Sequence, residues 1–90
     1  MATVRIPTQM RALADGSSTV EIEGSTVGEV LHALGEAHER LGAKLFDENG
    51  AVRRFVNVYV EDEDIRFAEG LETKVEPGQT VSLLPAVAGG

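Results

Sequence analysis

Ninety residues with fifteen acidic against eight basic side chains, a formal charge of −7, describe one acidic domain near the lower size limit for folding on a single core. At 42% hydrophobic and 26% charged the composition is that of a globular chain rather than a disordered one, and its charge opposes binding to nucleic-acid phosphates. There is no cysteine, which excludes disulfides, thiolate metal sites and cysteine nucleophiles, so any sulfur chemistry must use sulfur supplied from outside.

Thr3-Val4-Arg5-Ile6-Pro7 alternates with Val4 and Ile6 on one face and predicts a short strand. After a turn at Asp15-Gly16, Thr19-Val20-Glu21-Ile22-Glu23 alternates again, with Val20 and Ile22 inward; the two strands are expected to form an antiparallel hairpin with a long connection. Thr26-Val27-Gly28-Glu29 has the form of a capping box. Val27, Val30, Leu31, Leu34 and Leu41 follow at helical spacing, Gly35 weakens the helix and Gly42 is a natural stop. Leu45 and Phe46 are expected to close one end of the core before a turn at Asn49-Gly50.

Arg54 to Val60 is the strongest strand, with valines 56, 58 and 60 on one face and Phe55, Asn57 and Tyr59 on the other. Glu61-Asp62-Glu63-Asp64 reads as a solvated acidic turn that discourages edge pairing: four consecutive acids do not converge on a cation. Ile65, Phe67, Leu71 and Val75 supply apolar anchors in an irregular segment with a short strand. Pro77-Gly78 then turns the chain into Thr80–Leu84, with Val81 and Leu83 inward. The expected fold is α+β: a mixed sheet of four to five strands with one main helix on one face and the Phe55, Asn57, Tyr59 face left partly open.

Catalytic patterns are missing from this reading. His32 (solvent-facing) and His38 (a boundary residue) are six apart on the helix and cannot share a metal, no base stands beside a nucleophile, and no glycine spacing makes a phosphate loop. The expectation is a chain that is not itself an enzyme and binds no cofactor or metal. No apolar run suits a signal peptide or a bilayer span, so the expected location is the cytoplasm, without membrane or nucleic-acid partners.

What remains is the ending. From Pro77 to Gly90 no side chain is charged; Pro85 has no N–H to offer a further strand pair, and Gly89 and Gly90 have no Cβ. The expected division is a folded domain over residues 1–85 and a flexible tail over 86–90. Such a tail fits a narrow channel and delivers one reactive group, the Gly90 carboxylate, which must be activated, most simply as a mixed anhydride with a nucleotide phosphate, because a terminal carboxyl with a pKa of roughly 3.3–3.7 is ionised at neutral pH. Leu84, on the same face as Phe55 and Tyr59, would place an apolar docking patch beside the root of that tail.

The tail Leu84-Pro85-Ala86-Val87-Ala88-Gly89-Gly90, the helix start Thr26 to Leu31, the stretch Val56 to Ile65 and Gly70-Leu71-Glu72-Thr73 before Pro77-Gly78 together resemble the ThiS/MoaD family of sulfur carriers over essentially the whole chain. The resemblance implies a ubiquitin-like β-grasp fold. It further implies that a ubiquitin-activating-enzyme-like adenylyltransferase and sulfurtransferase, using ATP and Mg, forms an adenylate and then a thiocarboxylate on Gly90, that Gly89 lets the end reach the active site, and that Phe55, Asn57, Tyr59, Leu84, Pro85 and Val87 contact partners. Gln79-Thr80 departs from the family pattern, in which an acidic residue is common after the Pro-Gly turn. Arg53 to Val60 together with Asp64-Ile65-Arg66-Phe67 is most similar to the family's actinobacterial carriers for cysteine synthesis. That implies a PLP-dependent cysteine synthase and a metal-dependent C-terminal peptidase as further partners. The alternatives are the small subunit of molybdopterin synthase and a ubiquitin-like protein modifier.

Overall fold

The two N-terminal strands pair as their alternation requires. In the computed structural model, which describes residues 1–53 and 56–85 (of Pro85, the backbone), β1 (Ala2–Arg5) lies antiparallel to β2 (Thr19–Ile22), with Val4 opposite Val20. Val4, Ile6 and Ile22 are buried as expected, while Val20 is only half-buried. Their connection is structured: Thr8–Ala14 winds into a 3₁₀ helix that buries Met10 and Ala14, and it ends in a left-handed residue at Asp15 followed by Gly16. Those two apolar residues four apart were the signal for it.

The expected single helix is two. α1 (Val27–Ala37) and α2 (Glu39–Leu45) are separated by His38, whose φ of −134° and ψ of 86° break the helix. The bend costs little in backbone bonding, because His38 N–H still donates to the Leu34 carbonyl at 2.9 Å and the His38 carbonyl accepts from Gly42 N–H at 3.0 Å. Gly42 is therefore no stop. It lies inside α2 against Gly35 of α1, where a Cβ on Gly42 would stand 2.8 Å from the Gly35 Cα. Val27, Val30, Leu31 and Leu34 from α1, and Leu41 and Leu45 from α2, are fully buried, each such side chain contributing about 1.5–3 kcal/mol.

At the start of α1 the Thr26 hydroxyl accepts from Glu29 N–H at 3.2 Å, as the capping pattern predicts. The Glu29 carboxylate reaches one residue beyond the cap, accepting from both the N–H (2.8 Å) and the hydroxyl (3.0 Å) of Ser25.

Beneath the helices, β3 (Val56–Val60), β4 (Glu63–Asp64) and β5 (Thr80–Pro85) complete a five-stranded mixed sheet in the order β2-β1-β5-β3-β4. β5 runs parallel to β1 and antiparallel to β3, placing Val4 beside Val81 and Val58 beside Leu83. Val56, Val58, Val60, Val81 and Leu83 are buried, so the inward set matches the alternation. This is the expected α+β arrangement, with the helical layer on one face.

Two expectations between β3 and β5 are corrected. The acidic run is a turn only at Glu61-Asp62; Glu63 and Asp64 form β4, and Asp64 is buried. Its carboxylate accepts the Arg66 N–H at 2.8 Å and is gripped by the Arg66 guanidinium, with Nη2 to Oδ2 at 2.8 Å, which makes a buried charge tolerable. Phe67, expected as a core anchor, is 83% exposed, because the short 3₁₀ turn Ile65–Phe67 commits Ile65 to the core instead. Phe67→Ser is accordingly expected to leave stability within about 0.5 kcal/mol of the parent in a thermal melt, as for a surface position.

Candidate functional site

The candidate site lies at the end of β5, from which residues 86–90 continue. Alternation turns Val81 and Leu83 inward and leaves Ser82 and Leu84 on the sheet face opposite the helices; Leu84 is 49% exposed. Cross-strand register then decides what surrounds them. Leu84 stands opposite Asn57, Ser82 lies between Tyr59 of β3 and Arg5 of β1, Tyr59 is also opposite Asp64, and Pro85 is opposite Val56.

Asn57, Tyr59 and Leu84 thus share one sheet face, with the Pro85 backbone at its end. Tyr59 is half-buried rather than fully exposed, being flanked by neighbours on both sides. Phe55, Val87, Gly89 and Gly90, the other expected site residues, lie outside the described residues, as does the tail expected over 86–90. Sequence reasoning missed Arg5, Ser82 and Arg66 as members or flanks of this face. The outward alternation of Arg5 was visible, but its adjacency to Ser82 depends on β1 lying beside β5, which no local pattern encodes.

Beside Leu84 is an open groove of about 470 Å³ whose rim includes Arg5, Arg11, Thr8, Gln9 and Ser82. Arg11 is half-buried, and its Nε donates to the Ile6 carbonyl at 3.0 Å. At the other end of β5 the sign reverses: the Glu61 carboxylate accepts the Thr80 N–H and the Glu61 N–H donates to the Thr80 carbonyl at 2.8 Å, which holds Glu61 in its left-handed turn conformation.

The histidines do not converge. His32 is exposed and stacks on Phe46 with ring centroids 4.8 Å apart, and His38 is half-buried with Nδ1 3.7 Å from an Asp15 carboxylate oxygen. Among the described residues no group of three or more His, Cys, Asp or Glu is placed to hold a metal, and no helix is long and apolar enough to cross a membrane.

Two carboxyls are held below the usual carboxylate range. Asp64 is lowered by the Arg66 side chain and then by the Arg66 N–H; Glu29 is lowered first by the Ser25 N–H and then by its hydroxyl. A depressed folded-state value contributes stability above the unfolded value, near 4, that is lost as pH falls through the lower folded one. Asp64→Asn is expected to melt below the parent at about pH 7, and the gap should narrow as the pH falls from about 4 toward the depressed value of the folded state, as the parent's carboxylate takes up a proton.

The strand order, with the C-terminal strand central between β1 and β3, and the helices on one face define a ubiquitin-like β-grasp fold. The ThiS family model matches residues 4–90, and the chain belongs to that family. It is 43% identical over 90 residues to the sulfur carrier protein CysO of Mycobacterium tuberculosis, covering 98% of this chain and 97% of the relative. The crystal structure of the Amycolatopsis orientalis BexX/CysO complex contains a chain that superposes with a TM-score of 0.91 at 46% identity, with all of both chains covered. Small archaeal modifier protein 3 of Haloferax volcanii is 35% identical over 68 residues, 76% of this chain and 73% of that protein.

Proposed function

We propose that this chain is a sulfur carrier whose Gly90 carboxyl group is converted to a thiocarboxylate that donates sulfur for cysteine biosynthesis in the cytoplasm. The observation carrying this reading is the 43% identity, over nearly the full length of both chains, with a protein named as a sulfur carrier, together with a family match that reaches Gly90. The open face around Leu84 supports it by offering a surface for recognition on the central strand that leads in sequence to residues 86–90.

In the proposed chemistry the Gly90 carboxylate attacks the α-phosphorus of ATP held with Mg by the adenylating partner, and pyrophosphate leaves. A persulfide supplied by the sulfurtransferase attacks the acyl carbon and AMP leaves. A thiol then supplies the two electrons that cleave the S–S bond and release the thiocarboxylate. This chain's residues contribute docking, through Asn57, Tyr59 and Leu84, and reach, through Gly89. In a PLP-dependent cysteine synthase the thiocarboxylate sulfur displaces the leaving group of an activated serine, so that the product stays bonded to the Gly90 acyl group, and a metal-dependent peptidase then hydrolyses that bond.

The test is intact-mass spectrometry of the chain purified from cells that contain the activating partner. Replacement of one oxygen by sulfur, confined to the C-terminal residue, is expected; a chain wholly unmodified under sulfur demand would overturn the reading. The likeness to a small archaeal modifier favours a second reading, attachment of Gly90 to lysines of other proteins. That reading predicts higher-mass conjugates that vanish when Gly90 is deleted.

A further inference from the structure

Charge is distributed unevenly along β5. In a chain of net charge −7, the groove at the strand's end is bounded by Arg5 and Arg11, and no carboxylate is among the described residues that line it. The hollow beside β5's other end is lined by Glu61, Asp62 and Glu63 together with Lys74. Arg66 is spoken for by Asp64, whereas neither Arg5 nor Arg11 forms an ion pair among the described residues. Arg11 is held in place through Nε, and its two Nη atoms donate to no described acceptor. Two arginines without a counter-ion among the described residues of an acidic protein, next to a half-exposed leucine, make a surface complementary to carboxylates set around an apolar pocket.

We propose that this groove is the polar half of the docking surface: it receives carboxylates of a protein partner whose apolar pocket takes Leu84. The proposal rests on the carrier reading only in that the partner is one that acts on the chain's end. The two halves have separable roles. Arg5 and Arg11 steer the encounter, because long-range attraction toward an otherwise repelling protein acts before contact. Leu84 sets the lifetime of the complex, because burial of apolar surface acts after contact and does not depend on salt.

The experiment measures association and dissociation rates with immobilised Amycolatopsis orientalis BexX, the protein solved together with the 46%-identical chain, at ionic strengths from low to high. The parent should associate faster at low salt. Arg5→Glu/Arg11→Glu should slow association about tenfold or more there, with the difference shrinking once the screening length falls well below ~10 Å. Arg5→Lys/Arg11→Lys should retain most of the parent rate, and Leu84→Ser should instead speed dissociation at every salt concentration. Should the double glutamate variant fail to give a native amide spectrum, Arg5→Gln/Arg11→Gln carries the same test. No salt-dependent association of the parent, or equal association rates for parent and charge-reversed chains, overturns the proposal. So does saturable binding of inorganic phosphate to Arg5 and Arg11 that leaves the BexX rates unchanged, which would make the groove a small-anion site. A chain lacking Gly90 should still associate, so a failure of sulfur loading bears on the carrier reading and a failure of salt dependence bears on this one.

Discussion

A chain extended by one alanine after Gly90 is expected to accept no sulfur while melting at the same temperature as the parent. Adenylation requires the carboxylate oxygen within roughly 3–3.5 Å of the phosphorus and in line with the leaving group, and a misplacement of about 1 Å can cost on the order of a hundredfold. One additional extended residue moves the carboxylate by roughly 3.3–3.6 Å. The face proposed to dock cannot compensate by sliding, because Leu84 and its neighbours are tied to the sheet by the register of β5 with both flanking strands. The fold should be indifferent, since the buried core residues of β5 are Val81 and Leu83, well before the added residue. Intact mass and an amide spectrum on one sample read both outcomes; a loaded, extended chain would show that the end is not positioned by length.

Gly42→Ala is expected to destabilise the domain, although helix propensity argues the reverse. Within α2, replacing glycine by alanine would ordinarily gain about 1 kcal/mol. Here the new methyl would sit 2.8 Å from the Gly35 Cα and 3.3 Å from its carbonyl oxygen, both backbone atoms that cannot rotate away. The helices must separate, disturbing the fully buried Leu34, Leu41 and Leu45. Overpacking of this kind costs typically ~1–3 kcal/mol, and in a domain of this size each kcal/mol moves Tm by about 4–8 °C. Gly35→Ala, whose methyl would stand 3.3 Å from the Gly42 Cα, should be the milder change. Thermal melts of the two variants give the order directly; a Gly42→Ala chain as stable as the parent would mean that propensity outweighs the contact.

That pair of glycines also shows where the sequence stops being legible. The apolar stripe Val27, Val30, Leu31, Leu34, Leu41 suits a straight helix and a bent pair equally well, so the break at His38 is decided by how α2 packs back on α1 and not by periodicity. Strand alternation, by contrast, was readable: a period of two assigns Val4, Val58, Val81 and Leu83 to the core without knowledge of strand order. Strand order itself rests on pairing between the two ends of the chain, which is why Asn57, Tyr59 and Leu84 could be assigned a common face while Arg5 could not be added to it. Asp64 was misread because four acids in a row look solvated. The cue was Arg66 two residues on, close enough for its N–H and guanidinium to share one carboxylate. Phe67 was misread by residue type alone, since Ile65 had already filled the available core position.

The strand that continues into residues 86–90 is the middle one of five, gripped on one side by a parallel neighbour and on the other by an antiparallel one. This has a mechanical consequence. Tension applied through Pro85 along β5 loads the hydrogen bonds to β1 and β3 together, in shear, instead of opening them one after another as peeling an edge strand would. A pull on the chain beyond Pro85 is therefore resisted by two ladders at once, and the domain is built to keep its shape under a load applied from that end.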